Sequence, residues 1–76
     1  MVIRKLVGRN FSRIRGAVGL TQEAVAERAN LSQQYISEIE NGKRKPTVAT
    51  LLALAQALGV SHVELVKPDD QFDQKS

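Results

Sequence analysis

The stretch Leu20-Thr21-Gln22-Glu23-Ala24-Val25-Ala26-Glu27-Arg28-Ala29-Asn30-Leu31-Ser32-Gln33-Gln34-Tyr35-Ile36-Ser37-Glu38-Ile39-Glu40-Asn41-Gly42 decides the fold. Thr21 and Ser32 each stand where a helix starts, because a side-chain oxygen there accepts from a backbone N–H that the helix leaves unpaired. Each follows an apolar residue matched five positions on, Leu20 by Val25 and Leu31 by Ile36, which is the spacing of a hydrophobic staple. The reading is a helix over 22–29 and another over 33–41, with Asn41-Gly42 as a left-handed stop. Only Asn30, Leu31 and Ser32 separate them. A link that short cannot lay two helices into a parallel bundle, and it predicts a roughly perpendicular corner.

Working outward, Leu6, Val7, Phe11, Ile14 and Val18 recur at three-to-four-residue steps and predict a helix over 4–17, ended around Gly16–Gly19. Val2–Ile3 offer an alternative opening as a short strand. On the other side, Pro46-Thr47 caps a helix over 48–58 with an inward stripe of Leu51, Leu54, Ala55 and Leu58, stopped at Gly59. Val60 with Leu65 repeats the staple, and Ser61 with Glu64 forms a capping box for a last helix over 62–66. The fold class is therefore all-α, five helices with a helix-turn-helix at the second and third. Residues 1–67 form one domain, and 68–76 a polar tail expected to be disordered.

Composition removes several function classes. There is no Cys and a single His among 76 residues, so no disulfide, thiolate centre or structural zinc site is expected, and no cofactor. His62 is the only imidazole, and no Ser has a His–acid partner within sequence-plausible reach, so the chain does not read as an enzyme. Gly16-Ala17-Val18-Gly19 is not a phosphate loop, because it follows no strand and lacks the Lys-Ser/Thr. No run of ~20 mostly apolar residues exists to span a membrane, and the N-terminus has no signal-peptide pattern, which leaves the cytoplasm as the default. Charge is split along the chain. Residues 1–67 hold ten Lys/Arg and five Asp/Glu, a balance of +5, whereas 68–76 hold one and three, a balance of −2. The basic part is the folded part.

Taken in order, Leu20-Thr21-Gln22-Glu23, Ala26-Glu27-Arg28-Ala29, Tyr35-Ile36-Ser37-Glu38-Ile39-Glu40-Asn41-Gly42, Pro46-Thr47 with Thr50-Leu51-Leu52, and Leu54-Ala55-Gln56-Ala57-Leu58-Gly59-Val60-Ser61 resemble the lambda-repressor-like, xenobiotic-response-element family of helix-turn-helix DNA-binding proteins. The likeness runs from about Val7 to Leu65. It implies that Ala26 is small where the two helices approach and that Ile36 plugs the corner. At the turn the family often has Gly and this chain has Asn30, a residue that tolerates left-handed dihedrals. The resemblance further implies a partly buried ion pair of Arg15 with Glu40, tying the first helix to the third.

On a helical wheel, Ile36, Ile39 and Tyr35 fall on one side of the third helix, and Gln33, Gln34, Ser37, Glu38 and Asn41 on the other. Gln makes bidentate contacts with adenine and Ser serves donors or acceptors, so Gln33, Gln34 and Ser37 are the candidate base readers. Glu38 in the groove would either accept from cytosine N4 or repel phosphate, and it is expected instead to turn sideways and pair with a neighbouring Lys or Arg. Phosphate contacts are expected from Gln22 at the start of the second helix, Ser32, Asn41 and the run Lys43-Arg44-Lys45. Tyr35 either packs its ring or offers its hydroxyl to phosphate. Arg4, Lys5, Arg9 and Arg13 add a basic face to the first helix whose direction is open.

One short helix reads only a few base pairs, and proteins of this build place two recognition helices about 34 Å apart on a palindrome. The expected partners are double-stranded DNA, as a palindromic operator, and a second copy of the chain. Val63 and Val66 are the expected core of a homodimer interface, with Ala49 and Ala53 as a further part on the fourth helix. The alternative is an antitoxin that neutralises a protein partner and binds its own operator. Its docking surface would be the acidic Asp69-Asp70-Gln71-Phe72-Asp73.

Overall fold

The computed structural model describes residues 2–68; the acidic tail from Asp69 onward, with the disorder and the docking role considered for it, lies outside them. The described residues form five helices and no strand: α1 Ile3–Val18, α2 Gln22–Ala29, α3 Gln33–Glu40, α4 Val48–Leu58 and α5 Val63–Val66. The all-α reading with its helix-turn-helix holds. α1 packs chiefly on α3 and α5, and α2 packs on α3 and α4, so the corner between α2 and α3 is closed from both sides.

Local chemistry sets the boundaries. Thr21 Oγ1 accepts from Ala24 N–H at 3.0 Å, Ser32 Oγ from Tyr35 N–H at 3.0 Å, and Thr47 Oγ1 from Thr50 N–H at 3.1 Å. Asn30 takes φ 58° and ψ 44°, and its N–H returns to the α2 carbonyls, so Asn does at this turn what Gly often does. Three boundaries differ from the sequence reading. α1 opens at Ile3, which removes the strand alternative, and it runs through Gly16 to end at Gly19 with φ 77°, the residue there that supplies the left-handed geometry. α3 stops at Glu40: Asn41 has φ −89°, and Gly42 at φ 71° makes the left-handed turn. α5 begins at Val63, because the Ser61 hydroxyl accepts from Val63 N–H at 3.2 Å, and the reciprocal Glu64 bond of a capping box is absent.

The core is built from Leu6, Val7, Phe11, Val25, Ile36, Ile39, Leu54 and Leu65, all without solvent exposure. Val18, counted in the α1 pattern, is exposed. Two α1 residues fix how the helices meet. Gly8 is buried where α1 crosses the end of α3, so close that a Cβ would stand 2.5 Å from Ile39 O and 2.8 Å from Glu40 O. Asn10 is fully buried, and its Nδ2 donates to Leu65 O at 3.0 Å and Lys67 O at 2.9 Å. A buried amide with both bonds made is stable only in that geometry, so Asn10 fastens the end of α5 to α1.

Candidate nucleic-acid interface

Because Ile36 and Ile39 anchor α3 from behind, its opposite side faces out. Gln33 and Gln34 are exposed on the first turn, next to the exposed cap Ser32, and Ser37 is half-buried one turn on. Asn41 is exposed but turned back on its helix, its Nδ2 donating to Ser37 O at 2.8 Å and to Ser37 Oγ at 3.4 Å. At the corner, Ala26 is 6% exposed and Ile36 fully buried, with Asn30 exposed between their helices.

The inner flank of α3 is held by charge. Arg15 Nε donates to Glu40 Oε1 at 2.9 Å and Nη2 to Oε2 at 2.8 Å, a bidentate pair, while Nη1 reaches Leu20 O at 2.8 Å. Gln22 Nε2 donates to the same Glu40 Oε2 at 3.3 Å, so the start of α2 is also tied to the end of α3. Burial by itself pushes the Glu40 carboxyl up, but the hydrogen bonds from Arg15 and Gln22 and the Arg15 charge outweigh it and hold the group below its ordinary range. The same bond to Glu40 raises the Arg15 guanidinium against the opposing effect of burial.

The outer flank carries a second chain of contacts. Glu38 turns sideways, and Arg44 donates to its Oε1 from Nε at 2.8 Å and from Nη2 at 2.8 Å. The Arg44 guanidinium lies over the Tyr35 ring at 4.9 Å. Tyr35 Oη in turn donates to Thr50 Oγ1 at 3.2 Å, and Thr47 Oγ1 donates to the same Thr50 hydroxyl at 3.0 Å. Of the basic run, then, Arg44 is engaged within the domain, while Lys43 and Lys45 are exposed. Gly42 packs against Lys5, whose Cγ a Cβ there would meet at 3.1 Å, so α1 contributes a cation beside that loop.

On α5, Val63 is 51% exposed and Val66 half-buried; on α4, Ala49 is exposed and Ala53 half-buried. Sequence reasoning missed the larger exposed apolar groups of α4, Val48 at 73% and Leu52 at 49% exposure. They are one helical turn apart and outside the inward stripe of α4, which was the available signal. It also missed Gly8 and Asn10. No helix among the described residues is long and apolar enough to cross a membrane.

Comparison with known proteins places this geometry. Residues 12–65 match the Helix-turn-helix family. An uncharacterised HTH-type transcriptional regulator of Sinorhizobium fredii is 63% identical over 93% of this chain and 92% of its own length. The immunity repressor protein of Bacillus phage phi105 is 44% identical over 71% of this chain, which spans 38% of that protein. The crystal structure of the restriction-modification controller protein C.AhdI from Aeromonas hydrophila superposes with a TM-score of 0.79 at 32% identity, covering 82% of this chain and 94% of that one. The chain therefore belongs to the Cro/C1-type xenobiotic-response-element family of helix-turn-helix proteins, as a DNA-binding transcriptional regulator and not an enzyme.

Proposed function

We propose that the chain is a small homodimeric repressor-type regulator that reads an operator in the major groove with α3. The observation that carries this is the outward face of α3. Exposed Gln33 and Gln34 open it and Ser37 follows, on a helix pinned from behind by Ile36 and Ile39 and braced on both flanks. An immobilised helix pays no further backbone ordering when its exposed amides meet base edges, which favours direct readout. Ser32, Asn41, Lys43 and Lys45 ring that face as phosphate contacts, while Arg44, expected among them, is taken up by Glu38. Gln22 sits at the start of α2, where unpaired backbone N–H groups favour an anion. Val48, Leu52, Val63 and Val66, with Ala49 and Ala53, supply a surface for a second copy. Control by the protein's own concentration, through dimerisation and operator occupancy, then needs no ligand.

Selection from a random duplex library at ~150 mM salt, a strength at which phosphate contacts alone bind weakly, tests the reading. An inverted repeat with half-sites about one helical turn apart is the expected product. Recovery without a shared motif would sink it, and the antitoxin reading would then direct a search for a protein partner.

Readers and clamps should also separate. Gln34→Ala is expected to cost about tenfold in operator affinity and to relax preference at one position. Lys43→Ala is expected to weaken binding to all sequences alike and to lower the salt slope by about one. Titrations of both variants against operator and scrambled duplex over a salt series decide it; identical behaviour would refute the division.

A further inference from the structure

Glu38 is the one charged group at the edge of an otherwise uncharged reading face, next to Gln34 one turn before it. An acid there would be repelled by the phosphates on either side of the groove unless a cation neutralised it. Arg44 is that cation, and its placing is specific. Both of its donors, Nε and Nη2, converge on Oε1. The Arg44 side chain is half exposed, and its guanidinium cannot leave Glu38 without also leaving the Tyr35 ring, which Thr50 holds in turn.

We propose that Glu38 is a specificity residue: with Oε1 held by Arg44, its Oε2 accepts from the N4 amino group of a cytosine in the major groove. The inference rests on the reading of α3 as the recognition helix. A carboxylate offers only acceptors, and cytosine presents only a donor at that edge, so the match is chemical as well as positional. Thymine at the same place would present O4, an acceptor facing an acceptor, and would be rejected. Arg44 and Tyr35 are positioning residues in this scheme. An exposed ion pair that served the loop alone would contribute little to stability, and the three-residue stack of Tyr35, Arg44 and Glu38 is more order than that role requires.

The test is Glu38→Gln. The amide oxygen still accepts from Arg44, but an NH2 donor replaces Oε2, so the contact is inverted while size and packing are kept. Library selection with the wild type should give a motif with one strongly preferred cytosine in each half-site. With Glu38→Gln, preference at that position alone should shift from cytosine toward thymine. In direct titrations, exchanging C·G for T·A there should weaken the wild type by about tenfold, within the usual cost of one mismatch, and should not weaken the variant. A misfolded variant cannot produce such an exchange of preference. A motif unchanged at every position would overturn the proposal and leave the recognition helix standing, as would adenine at the affected position. A wild-type selection without any motif would overturn both.

Discussion

Replacing Gly8 by alanine is expected to lower stability by about 3 kcal/mol, the upper range for forcing atoms into a packed interior. A domain of this size has on the order of 5–10 kcal/mol in all, so the urea midpoint should fall by a third or more. The reason is what the methyl would meet. At 2.5 Å and 2.8 Å its neighbours are the carbonyl oxygens of Ile39 and Glu40, backbone atoms that cannot rotate away. α1 would have to lift from the end of α3, and the bidentate Arg15–Glu40 pair spans the same crossing. Gly16 provides the control within the same helix. Nothing lies within 4 Å of a Cβ built there, so Gly16→Ala should raise stability by about 0.5–1 kcal/mol through helix propensity alone. One chemical change then has opposite signs eight residues apart. If both variants raise the midpoint, α1 and α3 are not in the contact described.

The second large effect belongs to Arg15. Arg15→Ala should cost about 2–3 kcal/mol at neutral pH, less than a fully buried pair because some solvent reaches both side chains, 21% and 11% exposed. Most of that cost is the charge left on Glu40 without its partner. The sign with pH follows from the direction of the carboxyl. In the folded domain Glu40 is held below its ordinary value near 4.5, so the pair's contribution is complete above that value. As acid is added the unfolded chain takes up the proton first, and stability is lost as pH falls through the folded pKa. Without Arg15, the burial that pushes the carboxyl up is opposed only by the hydrogen bonds from Gln22 and Ser12, so the group rises from where the wild type holds it. Urea titrations at pH 7 and at steps downward from pH 4.5 should therefore show the wild type converging progressively on the variant in acid. A difference between the two that stays constant over that range would mean that the pair does not carry the energy.

What the sequence disclosed and what it hid divide by distance along the chain. The α2–α3 corner was legible because its determinants are local: Thr21 and Ser32 cap within three residues, and Asn30 turns the chain where it stands. Gly8 was invisible because its partners are Ile39 and Glu40, and in isolation it reads only as a weak point in a helix. Asn10 was invisible for the same reason, since its acceptors lie 55 and 57 positions on. No periodicity links Arg15 to Glu40, 25 residues away, and that pairing came from the family likeness rather than from spacing. On α4 the inward stripe was read correctly, but it drew attention from Val48 and Leu52 on the outer side. The Glu38 contact lay between these cases. Its sideways turn followed from charge, while the partner among three neighbouring cations did not.

The bond from Asn10 to the carbonyls of Leu65 and Lys67 also bears on how the protein is made. The amide waits, through the synthesis of every intervening helix, for acceptors at the other end of the domain. Until they leave the ribosome, Leu65 is missing from its place on α1 and the Asn10 Nδ2 has only water in place of the carbonyls it is buried against. The cost of closing so long a loop grows only slowly with its length, so the delay is set by translation rather than by diffusion. The nascent chain is thus held short of its native state until its last turn is complete. A ribosome stalled before residue 65 would display a loose helical chain, open to proteases, in place of a premature DNA binder.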